Sequence, residues 1–317
     1  MKPELFQLIM LTFYIYKKIK MNILVIGHSV VDKIVEKSSI SIKPGGIFYT
    51  IVSFLSQLQK EDKLYLCSSI DKENEGLFSD TYDKIEREFL VYVDSIPKVE
   101  LIVDNVGERK ETYSQISQNL TLPTNNLNRF DGILINMISG YDISLRQLEQ
   151  LRKNYKGLIY FDVHTFSRGV DKSLNRIFRR IENFNKWAKC IDILQANESE
   201  LLTLSNKMNE TQIIEELFPS GIRQIIITRA ERGATVYFRE NETLRKINKN
   251  ALRVKLINKI GCGDVFGAVY FYNYIKNKNV TLTLEQANLF AGISTTYSEA
   301  KEYLNLKRDA NKQIGKK

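Results

Sequence analysis

Six short apolar runs constrain this chain more than any other feature: Met21–Gly27, Lys63–Cys67, Gly132–Asn136, Gly157–Asp162, Ile191–Gln195 and Arg223–Thr228. Each has the length of a buried strand, and stretches of helical periodicity lie between most of them. Ile47, Ile51, Phe54, Leu55 and Leu58 recur at helical spacing. Gly76–Phe89, Ser144–Asn154, Lys172–Lys189, Glu198–Leu204 and Glu210–Phe218 read as further helices, and Asp264–Asn277 and Leu284–Leu304 as the last two. Leu252–Leu256 reads as a strand, and Ala234–Arg239 with Thr243–Ile247 as a hairpin. Such alternation predicts an α/β fold: a central, mostly parallel sheet with helices on both faces. Ligands in such folds bind outside the carboxyl ends of the strands.

The alternation lapses once. Glu100–Asn105 and Arg109–Ser117 are strand-like runs joined by Val106-Gly107-Glu108, with nothing helical between them. They predict a small β excursion, a lid within about 99–118, joined by strands within about 33–41. The body is expected to span 21–304 as one domain, since no Gly/Ser-rich linker divides it.

Composition excludes several classes. Hydrophobic residues make up 43%, too many for a disordered chain. The net charge is +9, but residues 1–20 hold +3 and the tail 305–317 lies within a basic end, 301–317, of +4. A body this close to neutral argues against nucleic-acid binding, which remains a third reading resting on the basic ends alone. Three scattered cysteines and two scattered histidines, His28 and His164, offer no zinc pattern and suit a reducing cytoplasm. The apolar run Leu5–Tyr16 is too short to span a bilayer, and no membrane association is expected. Met21 opens a complete strand, so residues 1–20 are expected to be an extension outside the fold; an amphipathic surface anchor is the rival reading.

The strongest chemical signal is Gly261-Cys262-Gly263-Asp264, after a strand and at the start of an apolar helix. Glycines let backbone approach a ligand, and the first-turn N–H groups and the helix dipole favour an anion. An aspartate there can accept a proton from an attacking hydroxyl, or simply cap the helix. Asn197 and Glu200, three apart, could orient waters around a hard cation, or form a capping box. Asp32 follows the first strand and could bind hydroxyls, or be a solvated loop carboxylate; Asp162, ending a strand, could assist near phosphate or metal; His28 reads as structural.

Asn258-Lys259-Ile260-Gly261-Cys262-Gly263-Asp264-Val265-Phe266 resembles the C-terminal signature of the ribokinase/PfkB carbohydrate kinases, D-T-x-G-A-G-D-x-F. Other segments are similar in the family's order: Gly27–Asp32, the double glycine Gly45-Gly46, Asn197-Glu198-Ser199-Glu200 for N-x-x-E, and Thr228–Ala234 beside the nucleotide. The resemblance covers essentially 21–300 and implies a ribokinase-like fold with a small β lid. It implies ATP and magnesium as cofactors, a monovalent cation in some members, and a homodimer built through lid strands. It further implies Asp264 as base, with Gly261, Cys262 and Gly263 as the anion hole. Asp32, Gly45 and Gly46 would contact a sugar-like acceptor, Asn197, Thr228 and Gly233 the nucleotide, and Glu200 the metal. Departures stand at Asn258 and Lys259 for an aspartate–threonine pair, at Thr50 for an asparagine, at Ala230 for a glycine, and at Val269. The expected function is therefore ATP-dependent phosphorylation of a hydroxyl on a small sugar-like substrate, or on a nucleoside. The alternative is a relative that binds sugar or nucleotide without turnover.

Overall fold

In a computed structural model, residues 20–36, 39–102, 110–241 and 243–315 are described. The chain enters at β1 (Asn22–Ile26), then β2 (Ser29–Glu36), β3 (Ser39–Gly46) and α1 (Ile47–Gln57). There follow β4 (Lys63–Ile70), α2 (Glu75–Tyr82), β5 (Glu86–Tyr92), β6 (Lys98–Ile102) and β7 (Lys110–Gln115). The middle of the chain supplies β8 (Gly132–Asn136), α3 (Leu145–Asn154), β9 (Leu158–Asp162), β10 (Arg168–Val170), β11 (Arg176–Phe178) and α4 (Phe184–Ala188). The last part holds β12 (Ile193–Asn197), α5 (Glu198–Leu201), α6 (Glu210–Leu217), β13 (Gln224–Thr228), β14 (Ala234–Glu240) and β15 (Thr243–Lys249). Three helices close it: α7 (Cys262–Asn277), α8 (Val280–Ser294) and α9 (Leu306–Gly315).

Nine strands form the central sheet in the order β15-β14-β13-β12-β9-β8-β1-β4-β5. From β13 to β5 every pair is parallel; β14 and β15 are antiparallel additions at one edge. β1 lies among parallel neighbours, and Ile23 to Ile26 are wholly buried. Their side chains alternate between two cores: Ile23 and Val25 pack with α1, α7 and α8, and Leu24 and Ile26 with the opposite face. A continuous apolar run is what a strand covered on both faces requires. α3 begins at Ser144, which closes a capping box with Gln147, satisfying N–H groups that the helix leaves orphaned.

A second sheet, β3-β2-β6-β7, forms the lid over the carboxyl ends of the central strands. β2 pairs antiparallel with β3 and parallel with β6, and β6 pairs antiparallel with β7. The expected turn Val106-Gly107-Glu108 and residues 1–19 of the expected extension lie outside the described residues.

Four readings of the sequence are corrected. Lys172–Lys189 is not one helix: β10 and β11 make a small antiparallel hairpin, and only Phe184–Ala188 is helical. Leu252–Leu256 finds no partner strand and lines the cavity described below as irregular chain. Leu284–Leu304 divides between α8 and a 3-10 turn, Ala300–Asn305. Residues 305–317, expected as a basic tail, contain α9, whose Leu306 and Ala310 are fully buried against the body. Among the described residues no helix is long and apolar enough to cross a membrane.

Candidate active site

The carboxyl ends of β8, β9, β12 and β13, the start of α7 and the lid enclose a cavity of about 680 Å³. Asp264, Gly261, Cys262 and Gly263 line it, as do Asp32, Gly46, Asn197, Glu200, Thr228 and Gly233. Gly45 does not line it, but a side chain there would collide with the Asp32 carboxylate.

Asp264 is buried in the first turn of α7. It does not cap the helix: the N-cap is Gly261, in the left-handed region at φ 77°, and no side chain caps this end. A Cβ on Gly261 would lie 2.6 Å from the Tyr49 ring, so that close approach demands glycine. At Gly263 a side chain would meet nothing within 4 Å, so the loop opens onto the cavity there. Oδ1 of Asp264 accepts hydrogen bonds from Asn136 Nδ2 at 2.6 Å and Thr50 Oγ1 at 3.3 Å. Burial pushes the Asp264 carboxyl up to about 6, and the Asn136 and Thr50 hydrogen bonds oppose the rise. A carboxylate so held is ionised at neutral pH and basic enough to accept a proton.

Asn136 carries no signal in the sequence that would join it to Asp264. It ends β8, 128 residues away, and only the parallel sheet brings them together. Thr50, a departure from the family pattern, proves to be a direct partner of Asp264. Gln195 was likewise missed: its Nε2 donates to Asp162 Oδ2 at 2.7 Å and to the Gly263 carbonyl at 3.2 Å, tying β12 to the glycine loop.

Asn197 and Glu200 do form a capping box, with Asn197 Oδ1 accepting from the Glu200 amide at 2.9 Å and Glu200 Oε2 from the Asn197 amide at 2.8 Å. Both also line the cavity, together with Asp162. Burial raises Glu200 to about 7; the neighbouring Asp264 charge adds to this. Burial, then Glu200 and Asp264, hold Asp162 well above the carboxylate range. Three mutually repelling carboxyls around one cavity are a set whose charge a divalent cation would relieve. Among the described residues no three form a cage that could hold a metal by themselves. The set therefore suits a largely hydrated hard ion better than a protein-enclosed one.

Asp32 lies on lid strand β2 and is buried, not a solvated loop carboxylate. His28 is fully buried; its ring nitrogens meet Ser139 Oγ at 2.8 Å and the Gln118 carbonyl at 3.1 Å, a structural network as expected. On the other side, Thr228, Gly233, Ala251, Leu252, Ala291 and Gly292 make a largely apolar wall. Gly233 is in the left-handed region at φ 89°, and a Cβ there would lie 2.0 Å from the Lys249 carbonyl. Ala230 adopts φ 49°, a conformation costly for a residue with a Cβ, where the family pattern has glycine. Asn258 Oδ1 accepts from the Ile260 amide at 2.9 Å, and Lys259 lines the cavity.

The architecture is that of the ribokinase-like α/β fold. Two solved structures are similar over nearly the whole chain. One is a pyrophosphate-dependent kinase in the ribokinase family (14% identity, TM-score 0.74, 92% of this chain and 99% of that one). The other is a putative ribokinase II from E. coli in complex with ATP and Mg2+ (15%, TM-score 0.71, 94% and 100%). Residues 169–306 match the family model described as pfkB family carbohydrate kinase. A deoxyribokinase of Salmonella typhi is 30% identical over 156 residues, 47% of this chain and 48% of that protein. The match spans only about half the length of this curated relative. Residues 169–306 thus carry the pfkB family match, and the chain as a whole shares the ribokinase-like fold.

Proposed function

We propose that this protein transfers a phosphoryl group from ATP to a hydroxyl of a small sugar-like molecule, with 21–304 acting as one catalytic domain. The observation that carries this reading is the buried Asp264 carboxylate, held by Asn136 and Thr50 beside the open Gly263 turn at the start of α7. In this reading Asp264 takes the proton of the acceptor hydroxyl. The acceptor oxygen bonds to the terminal phosphorus, and the bond from that phosphorus to its bridging oxygen breaks. The N–H groups of the Gly261–Asp264 turn meet the charge on the transferring phosphoryl group. Asp32 binds acceptor hydroxyls, with Gly45 and Gly46 giving the room, and the apolar wall with Thr228 and Gly233 takes the base of the nucleotide.

Magnesium would neutralise charge on the donor phosphates. Glu200, Asp162 and Asn197 would face its water shell. A monovalent cation fits less well, because Lys259 brings an ammonium to the loop and Asn258 has no carboxylate. The expected homodimer would form through β3, which exposes Ile40 and Ile42.

The test incubates purified protein with magnesium, either ATP or pyrophosphate, and a panel of sugars, sugar acids, sugar phosphates and nucleosides. Phosphorylation of an acceptor from ATP, abolished in Asp264→Asn, supports the reading. Binding without transfer to any acceptor overturns it in favour of a non-catalytic binder.

A further inference from the structure

The segment after β9 delivers more positive charge to the cavity than an acceptor made only of hydroxyls calls for. Arg168 opens β10, Arg176 opens β11, and both line the cavity beside His164. The Arg176 side chain is buried, donating from Nη1 to Glu111 and from Nη2 to Tyr113 Oη at 2.7 Å. Its Nε–H, also buried, has no hydrogen-bond partner among the described residues. Arg168 reaches the same Glu111 oxygen only at 3.6 Å, and its side chain is 31% exposed. Two guanidinium groups thus share one carboxylate. His164 lies beside them, its ring Nδ1 against Thr165 Oγ1 at 2.7 Å. It is held at φ 37°, a strained backbone of the kind that accumulates at ligand sites. Asp32, which engages other groups of the protein, also lines the cavity, as do Glu200 and Asp162, the latter accepting from the His164 amide at 3.2 Å.

We infer that the phosphate acceptor is itself an anion, a hydroxyl compound carrying a carboxylate or phosphate that Arg168 grips, with Arg176 fixed behind it by Glu111. A planar guanidinium offers an oxyanion two parallel N–H groups, which a neutral sugar cannot use as well. Asp32 then orients the molecule, repelling its charged end and accepting from its hydroxyls. This deepens the proposed kinase reading and rests on it for the word acceptor, but the binding claim can be tested without turnover.

The experiment is calorimetric titration of the full chain, without donor, using charged and neutral pairs: D-gluconate beside D-glucose, and D-ribonate and D-ribose 5-phosphate beside D-ribose. At least one anion is expected to bind about ten-fold or more tightly than its neutral parent. The carboxylate and phosphate arms distinguish a sugar acid from a sugar phosphate. Arg168→Gln should close that gap, and Arg168→Lys should restore part of it. Arg168 is partly exposed, so both variants should melt near the wild type. The inference is overturned if the neutral parents bind as tightly, if Arg168→Gln leaves the gap unchanged, or if no anion binds. Phosphorylation of neutral sugars in preference to anions would leave the kinase reading standing and sink this one. Arg168-dependent anion binding without phosphorylation of anything would do the reverse.

Discussion

The Asp32 carboxylate fills the space that a side chain at Gly45 would need: a Cβ built on Gly45 would lie 2.2 Å from Asp32 Oδ2. The two residues are diagonal neighbours across the β2–β3 pair, Asp32 opposite Lys43 and Gly45 opposite Val30, so the glycine and the carboxylate are one requirement. Gly45→Ala should therefore act as an indirect Asp32 mutation. It should displace the carboxylate, raise KM for the acceptor, and leave nucleotide affinity unchanged. Asp32→Ala should do the same, each lost charged hydrogen bond weakening acceptor binding by about 1.5–3 kcal/mol. Steady-state kinetics with acceptor and ATP varied separately would check both; an unchanged acceptor KM in either variant excludes Asp32 from recognition.

Asp264→Asn should lower turnover by about 100- to 10,000-fold, the usual worth of a general base. It should also make the protein more stable at neutral pH. The folded carboxyl lies near 6, above its unfolded value, so the native state binds the proton more tightly. Asp264 therefore favours folding fully only below its unfolded value, and that stability is lost as pH rises through about 6. Removing the charge should return at most about 3 kcal/mol at pH 7. A melting curve showing clear destabilisation would contradict this account.

The rate should rise with pH through an apparent midpoint near 6 and then level, because a base must be ionised to work. Glu200 and Asp162 titrate in the same cavity, so the limb belongs to the group of carboxyls together. Asn136→Leu removes the hydrogen bond that favours the charged form of Asp264. The midpoint of kcat/KM should then move to higher pH; a midpoint that stays put would mean Asn136 does not tune the base.

Glu111→Leu should destabilise the fold by about 3–5 kcal/mol, because it leaves the buried Arg176 guanidinium without its carboxylate. Denaturant unfolding measures this directly. The double variant Glu111→Leu with Arg176→Met should recover much of the loss, since it removes the stranded charge.

The parallel sheet and the glycine turn were legible because both rest on local pattern. An apolar run such as Ile23–Ile26 admits few readings other than a doubly covered strand, and Gly261-Cys262-Gly263-Asp264 opens an apolar helix, although irregular chain and not the expected strand leads into it. The hairpin Arg168–Phe178 was not legible. Its strands are three residues each, too short to alternate, and the following stretch has helix-compatible composition. Leu252–Leu256 misled for a related reason: apolar composition marks burial against something, and there it faces the cavity. The contact from Asn136 to Asp264 could not be read at all, since it is set by the order of strands and no spacing along the chain encodes it.

The β10–β11 hairpin is fastened to the lid. The Tyr113 amide donates to the Leu174 carbonyl at 3.0 Å, Thr112 Oγ1 bonds Asn175 at 2.9 Å, and Arg176 meets Glu111 and Tyr113. Parting them would strand buried charge, so any swing of β7 carries the hairpin and its guanidinium groups along. On the proposed reading, gate and sensor would be a single lever: admission of a molecule and inspection of its charge would be the same movement, and a ligand that fails to engage the hairpin would have no means of drawing the door shut.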